Sequence, residues 1–409
     1  MNVLIIASLW PEPSSSAAGR RMMTLIKLFH KQGWKLSYAS TAAESEFRFP
    51  LESLGVELHR VKINDESFDT FIKELAPELV LFDRFMIEEQ FSWRVAEQCP
   101  EALTMLETSD LHCLRQSRQR ALKDNRPFKT ADLMNEVAYR EVASIQRTDL
   151  SLIISSVEME LLATVFKVDS ALLHYLPFTV ESGELNEIKA TWPSFKQRKG
   201  FISIGNFKHP PNWDSVQYLK KEIWPLIRRQ LPTATLSVYG AYPPQKALQM
   251  NKPEEGFYVK GRVDDALKAM LRARVCLAPL RFGAGLKGKL LEAMECGTAS
   301  VTTGVGAEGM HDNLAWNGVI SEEPQLIAEA AVEIYSNEHR WLTCQQNGLN
   351  LLEKNFNPSD YESPLIARIK QLKDDISAHR EQNFQGAMLR HHTMRSTKYM
   401  SLWIEEKNK

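Results

Sequence analysis

Pro279–Gly297, PLRFGAGLKGKLLEAMECG, lies between an apolar run that ends near Ala278 and a helical stretch that begins near Lys287. A strand, a glycine turn and a helix in succession make a phosphate-binding geometry. Gly283, Gly285 and Gly288 let the backbone come close to a ligand, and the free N–H groups and positive dipole at the helix start favour an anion. Lys287 and Lys289 add full positive charge, and Glu292 follows Lys289 on the same helix, where it can accept bonds from ribose hydroxyls. The combination suits a nucleoside diphosphate. The turn is not a Walker A loop, because no GK[ST] places a hydroxyl on magnesium. The same residues are also compatible with a glycine-rich surface turn flanked by solvated lysines.

Outward from this stretch, short apolar runs alternate with amphipathic helical segments along nearly the whole chain, the pattern of parallel strands joined by crossover helices. In the first half, strands read at Asn2–Ser8, Lys35–Ala39, Val56–Val61, Leu79–Phe82, Leu103–Leu106, Leu150–Ile154 and Leu172–Tyr175. A helix over Ala18–Lys31 stops at Gly33. The polar stretch SGELNEIKATWPSFKQRKG has the composition of a linker, and a second series follows at Phe201–Ile204, Thr235–Tyr239, Phe257–Val259, Val275–Ala278 and Ala299–Thr302. The expectation is an α/β chain of two doubly wound domains, 1–186 and 187–355, facing a central cleft. A helical extension, 356–409, would return to the first domain through Met394, Tyr399, Leu402 and Trp403.

A length of 409 residues suits two domains rather than one core. Hydrophobic residues make up 44% and charged residues 25%, and no apolar run approaches a membrane span. MNVLIIASLWPEP has no basic leader or cleavage site and reads as a first strand, which points to the cytoplasm. Cys99, Cys113, Cys276, Cys296 and Cys344 are odd in number and form no CxxC pair, so buried thiols are expected, not disulfides or structural zinc. The net charge of -1 offers no general attraction for nucleic acid.

The second half resembles the nucleotide-binding domain of family 4 glycosyltransferases, which have the GT-B architecture of two Rossmann-like domains. FISIGNFKHPPNWDSVQYLKKEIWPLI, LSVYGAYPP, FYVKGRVDD and ARVCLAPLRFGAGLKGKLLEAMECGTASVTTGVGAEGM stand in the family's order and spacing. The first half is similar through NVLIIAS, the helix at Gly19, and REVASIQRTDLSLIISSVEMELL followed by LPF. The resemblance implies a retaining, metal-independent hexosyl transfer, without a cofactor, from a UDP- or GDP-linked sugar to a glycan or lipid-linked acceptor in surface polysaccharide or glycoconjugate synthesis. It implies that Lys287, Lys289 and the Gly285–Gly288 backbone neutralise the diphosphate, that Glu292 holds the ribose, and that Arg262 and Val263 meet the base. Gly205, which opens GNFKHPPN, and Gly283 belong to the same donor set. Preorganised cations and N–H dipoles are then the main catalytic device. Two departures stand out. Many members carry a glutamate where this chain has Ala284, so sugar recognition shifts toward N–H groups of the GAG turn. Many also carry an Arg and a Lys where this chain reads GNFKHPPN, with Lys208 as a substitute.

In the first half, Ser14, Ser15, Ser16 and Gly19 offer either helix capping or a second contact to the diphosphate. LETSDLHCLR places Glu107, Asp110 and His112 at a strand's carboxyl end, where open parallel sheets bind ligands, and they are candidates for catalysis or acceptor contact. Asp110 is equally a capping residue and His112 a backbone-bonded one. Arg115 to Lys129 is basic and is a candidate for peripheral contact with the inner membrane face or a phosphorylated acceptor, against the alternative of a solvated helix face. Trp10, Trp34 and Trp93 read as core or cleft residues. Competing functions are a GT-B sugar-nucleotide epimerase and a non-catalytic partner subunit. A dehydrogenase is disfavoured, because no GxGxxG follows the first strand.

Overall fold

The computed structural model describes residues 1–408. The first sheet holds β1 (Asn2–Ala7), β2 (Lys35–Ser40), β3 (Glu57–Arg60), β4 (Leu79–Asp83), β5 (Leu103–Glu107), β6 (Leu150–Ile153) and β7 (Leu173–Tyr175). The second holds β8 (Phe201–Ile204), β9 (Leu236–Tyr239), β10 (Phe257–Gly261), β11 (Val275–Ala278), β12 (Ala299–Thr302) and β13 (Gly318–Ile320). Their orders are β3-β2-β1-β4-β5-β6-β7 and β10-β9-β8-β11-β12-β13, with parallel pairing in both. β1 shows why the strands read as unbroken apolar runs. Val3, Ile5 and Ala7 enter one core with Leu25, Phe29 and Leu365, while Leu4 and Ile6 enter the opposite core with Phe68, Ile72 and Phe91.

In each sheet the order reverses beside the first strand, at β1/β4 and at β8/β11. Loops leaving the carboxyl ends of those strands diverge there and open a crevice, the place where doubly wound sheets bind ligands. β13 has no counterpart in the sequence reading: its three residues, GVI, are too few for a periodic signal. The polar connection is not an extended linker. Ser182–Ala190 forms a helix that contains Glu187, and beyond it the indole N–H of Trp192 donates to the Glu295 carbonyl at 3.0 Å. Arg198, wholly buried, donates to the Cys296 carbonyl at 2.6 Å.

The C-terminal helices return to the first domain. Glu362–Asp374 inserts Leu365, Ile366, Ile369 and Leu372 into the core beneath β1, and Phe384–Lys407 packs on helices Phe85–Gln98 and Glu136–Arg147. The packed face of the last helix differs from the expected one. Gly386 and Ser401 are buried, Arg390 donates to the Arg147 carbonyl at 2.7 Å, and Glu405 accepts from Arg94 at 2.8 Å. Met394 is half-buried on that side, whereas Tyr399, Leu402 and Trp403 point outward, because their helical angle falls opposite this seam. Trp10, Trp34 and Trp93 are core residues. Cys113, Cys276, Cys296 and Cys344 are buried free thiols, and Cys99 is half-buried. Among the described residues no helix is long and apolar enough to cross a membrane.

Candidate functional site

The two crevices face one cleft of about 500 Å³. Its walls are the loops after β1, β4 and β5 on one side and after β8, β9, β10 and β11 on the other. On the second-domain side, Leu280–Lys287 leads into helix Gly288–Glu295, whose N-cap position is Lys287. No side chain caps this helix start, so its first N–H groups remain available to an anion. The Lys287 ammonium is folded back onto the Gly285 carbonyl at 2.7 Å, and Lys289 donates to Asn212 Oδ1 at 2.7 Å. Burial lowers both lysines from the ordinary range to about 8. Burial also pushes the Glu292 carboxyl up to about 7, opposed by Arg20, whose guanidinium stands 3.8 Å away. Arg20 is held in turn by Glu295 at 2.9 Å.

The glycines differ in what they do. Gly205 lines the cleft, and a Cβ there would fall 2.7 Å from both the Lys289 ammonium and the Asn212 amide. Gly288 also lines it and touches the first domain, where a Cβ would fall 2.7 Å from that of Ala17. Gly283 lines it, with its carbonyl taken by Arg118 at 2.9 Å. Gly285 is absent from the cleft wall: its N–H donates to Glu158 Oε1 at 2.8 Å, so this amide of the GAG turn is not free for a sugar. Ala284 lines the cleft and packs on the first domain's core. Gly19 is likewise off the wall. Its N–H caps onto Ser16 Oγ at 3.0 Å, and a Cβ would strike the Glu12 backbone at 2.5 Å, so packing of the turn demands the glycine. Arg262 and Val263 line the cleft mouth; Arg262 lies over the Phe47 ring at 3.9 Å and reaches Ser14 Oγ at 3.3 Å.

On the first-domain side, Glu107 is not at the cleft. It is fully buried and accepts from Arg21 Nη2 at 3.0 Å and from the Ser109 N–H at 2.9 Å, which makes it part of the frame. Asp110 and His112 do line the cleft. Asp110 caps no helix; it pairs with Arg115 at 2.6 Å and stands 3.4 Å from His112. Burial opposes ionisation of the Asp110 carboxyl, but the paired Arg115 guanidinium holds it below the usual range, while burial lowers His112 to about 4 and keeps its ring neutral. Helix His112–Lys123 is capped from elsewhere: Glu141 accepts from the N–H groups of His112 at 2.9 Å and Cys113 at 3.0 Å. The basic stretch turns partly inward, since Arg115 pairs with Asp110 and Arg118 with Glu308 at 2.6 Å. Arg126 pairs with Asp132 at 2.8 Å, leaving Arg120, Lys123 and Lys129 exposed.

Several cleft residues escaped the sequence reading. Arg84 follows β4 and lines the wall with a left-handed φ of 72°, a conformation that arginine adopts only where its surroundings enforce it. His209 and Asn212 also line it, and so does Arg115, which the sequence reading places only in a basic stretch. The paired prolines before Asn212, which start a helix at Pro210, were the one available signal for that corner.

Residues 198–337, in the second domain, match the family model described as Glycosyl transferases group 1. Solved structures agree on the frame. A sucrose-phosphate synthase from Thermosynechococcus elongatus aligns at TM-score 0.65 and 14% identity over 91% of this chain and 99% of its own. Anabaena Alr3699/HepE, in complex with UDP and glucose, aligns at 0.64 and 12% over 90% and 99%. TarM of S. aureus, in complex with UDP and sugar ligands, aligns at 0.66 and 8% over 91% and 100%. The architecture is therefore GT-B. No curated protein sequence matches the chain.

Proposed function

We propose that this chain, with a group 1 glycosyltransferase domain in a GT-B frame, transfers a hexose from a nucleoside-diphosphate sugar to a glycan or lipid-linked acceptor. One observation carries the reading: Lys287, Lys289 and Glu292 meet at an uncapped helix start on the wall of a cleft that the other domain completes. Binding a diphosphate there exchanges the bonds of the two ammonium groups to Gly285 and Asn212 for bonds to phosphoryl oxygens, and the buried setting strengthens that attraction. As the sugar departs, negative charge grows on the diphosphate. Cations already in place stabilise that charge with little reorganisation, and this is the device the reading assigns to catalysis. Glu292 takes the ribose, and Arg262 with Val263 takes the base, a UDP or GDP unit. The UDP complexes of the HepE and TarM structures support a uridine donor.

Asp110, His112 and Arg115 stand across the cleft as acceptor-side contacts, with no cofactor or metal entering the proposed reaction. Retention of anomeric configuration, membership of family 4 and a role in surface polysaccharide synthesis at the cytoplasmic side form the rest of the reading. The membrane contact narrows to Arg120, Lys123 and Lys129. Donor hydrolysis supplies a test that needs no acceptor: the protein is incubated with UDP-, GDP- and ADP-sugars, and release of nucleoside diphosphate and the anomer of the freed sugar are followed by NMR. Release from one donor class with the α or β form of the donor preserved is expected. Release of the opposite anomer would overturn retention, and conversion of the intact donor to its epimer would favour an epimerase.

A further inference from the structure

Two side chains of the first domain reach the backbone of the donor-side turn where the domains meet beside the cleft. Glu158, on helix Ser156–Thr164, is buried to 1% exposure. Its Oε1 accepts from the Gly285 N–H at 2.8 Å and from the Leu111 N–H at 2.9 Å. Arg118, on helix His112–Lys123, donates to the Gly283 carbonyl at 2.9 Å while pairing with Glu308. The turn is therefore fastened on both sides of Ala284 by groups it does not own. Gly285 has a φ of 62°, and a Cβ on it would lie 3.0 Å from that of Asp110, so the turn also presses on the segment after β5. Glu158 Oε2 is buried with no hydrogen-bond partner. A carboxylate in such a place is expensive, and packing alone gives no reason for one. What the side chain supplies is a single acceptor oxygen shared by two amides, one at the donor turn and one at the turn that presents Asp110 and His112.

We propose that Glu158 and Arg118 are positioning residues that make the shape of the donor turn depend on the docking of the two domains. This rests on the donor-site reading given above. With the domains apart, Gly283 and Gly285 lose both fasteners and the turn that carries Lys287 is free to change shape; with the domains together it is fixed for a diphosphate. Because Glu158 holds Leu111 as well, the two sides of the cleft share one support. Burial, reinforced by Asp110, pushes the Glu158 carboxyl up to about 8, so at neutral pH the group is mostly the neutral acid. Glutamine then reproduces its accepting oxygen closely.

The test uses the full chain as wild type, Glu158→Ala, Glu158→Gln, Arg118→Ala, the double Glu158→Ala/Arg118→Ala, Lys289→Ala, and Glu160→Ala as an exposed control on the same helix. UDP and GDP are titrated by calorimetry, and kcat and KM for donor hydrolysis are measured. Loss of one such hydrogen bond predicts about tenfold weaker nucleotide binding in Glu158→Ala and in Arg118→Ala. Glu158→Gln should stay within about threefold of wild type. The double variant should lose less than the product of the singles, because both act on one turn. The loss should fall on donor affinity and KM more than on the melting temperature. Folded Glu158→Ala and Arg118→Ala that bind like wild type, while Lys289→Ala does not bind, would overturn the proposal and leave the donor site standing. Should Glu158→Ala fail to fold, Glu158→Gln and Arg118→Ala decide: a glutamine variant tenfold weaker, or an unaffected Arg118→Ala, sinks it. Wild type that binds neither nucleotide removes the donor site and the proposal together.

Discussion

Glu107→Ala removes one half of a buried pair whose arginine reaches the cleft wall. Arg21 and Glu107 are at most 2% exposed, and the guanidinium meets one carboxylate oxygen at 3.2 and 3.0 Å while donating to the Pro177 carbonyl at 2.7 Å. Deleting the carboxylate leaves a buried guanidinium unbalanced, which costs about 3–5 kcal/mol. It also frees the Ser109 N–H and so loosens the turn before Asp110. With an m-value of about 2 kcal/mol/M in urea, the first-domain transition should move down by roughly 1.5–2.5 M. Intrinsic fluorescence would follow it, since Trp10 and Trp34 lie in the core beside β1. Replacing both partners by apolar residues, Arg21→Met with Glu107→Leu, should recover part of the loss, because no charge is then stranded. A Glu107→Ala protein with an unmoved urea midpoint and no donor hydrolysis would refute this and return Glu107 to the substrate.

Nucleotide affinity should depend on pH through groups that burial has shifted. Lys287 and Lys289 are lowered to about 8, so the free protein loses both charges as pH rises through that value, and affinity should fall at least about tenfold between pH 7 and pH 9. Below pH 7, protonation of Glu292, raised to about 7, removes the charge that strengthens its bonds from ribose hydroxyls; a titration flat from pH 6 to 9.5 would contradict both assignments. Gly205→Ala places a methyl group against Lys289 and Asn212 and should weaken nucleotide binding about tenfold with little change in melting temperature, as calorimetry and a thermal melt would show. Tyr399→Ala and Trp403→Ala, on the outward face of the last helix, should change stability by no more than about 0.5 kcal/mol, whereas Ser401→Leu in the buried seam should cost about 1–3 kcal/mol by urea denaturation.

The strands were readable because both faces of each sheet are covered, which turns a buried parallel strand into a continuous apolar run; β13, with three residues, carried too little of that signal. All five of Lys287, Lys289, Glu292, Arg262 and Val263 line the cleft: the first three lie at a helix start whose local chemistry is visible in sequence, whereas Arg262 and Val263 were singled out only through the resemblance of their segment to the family. What was hidden depends on contacts between segments far apart in the chain. Glu158 meets Gly285 across 127 positions, Arg118 meets Gly283 across 165, and Arg21 meets Glu107 across 86. No local pattern separates such a residue from an ordinary helical charge. Gly19 misled for the opposite reason: a glycine near a helix start resembles a phosphate turn, yet here it makes room for the backbone of Glu12. In the last helix, the aromatic residues suggested the packed face, but the seam is built of small and charged residues, with Glu405 accepting from Arg94 and Arg390 donating to the Arg147 carbonyl.

Calorimetric titration of the wild-type protein, Lys289→Ala and Glu292→Ala with UDP, GDP and ADP, with circular dichroism to verify folding, reaches the donor site most directly. The account predicts that wild type binds one of the three selectively and that both folded variants lose that binding, which would also name the base. If wild type binds none of them, or folded Lys289→Ala and Glu292→Ala bind as wild type does, the cleft is not a nucleoside-diphosphate site and the glycosyl-transfer reading falls with it.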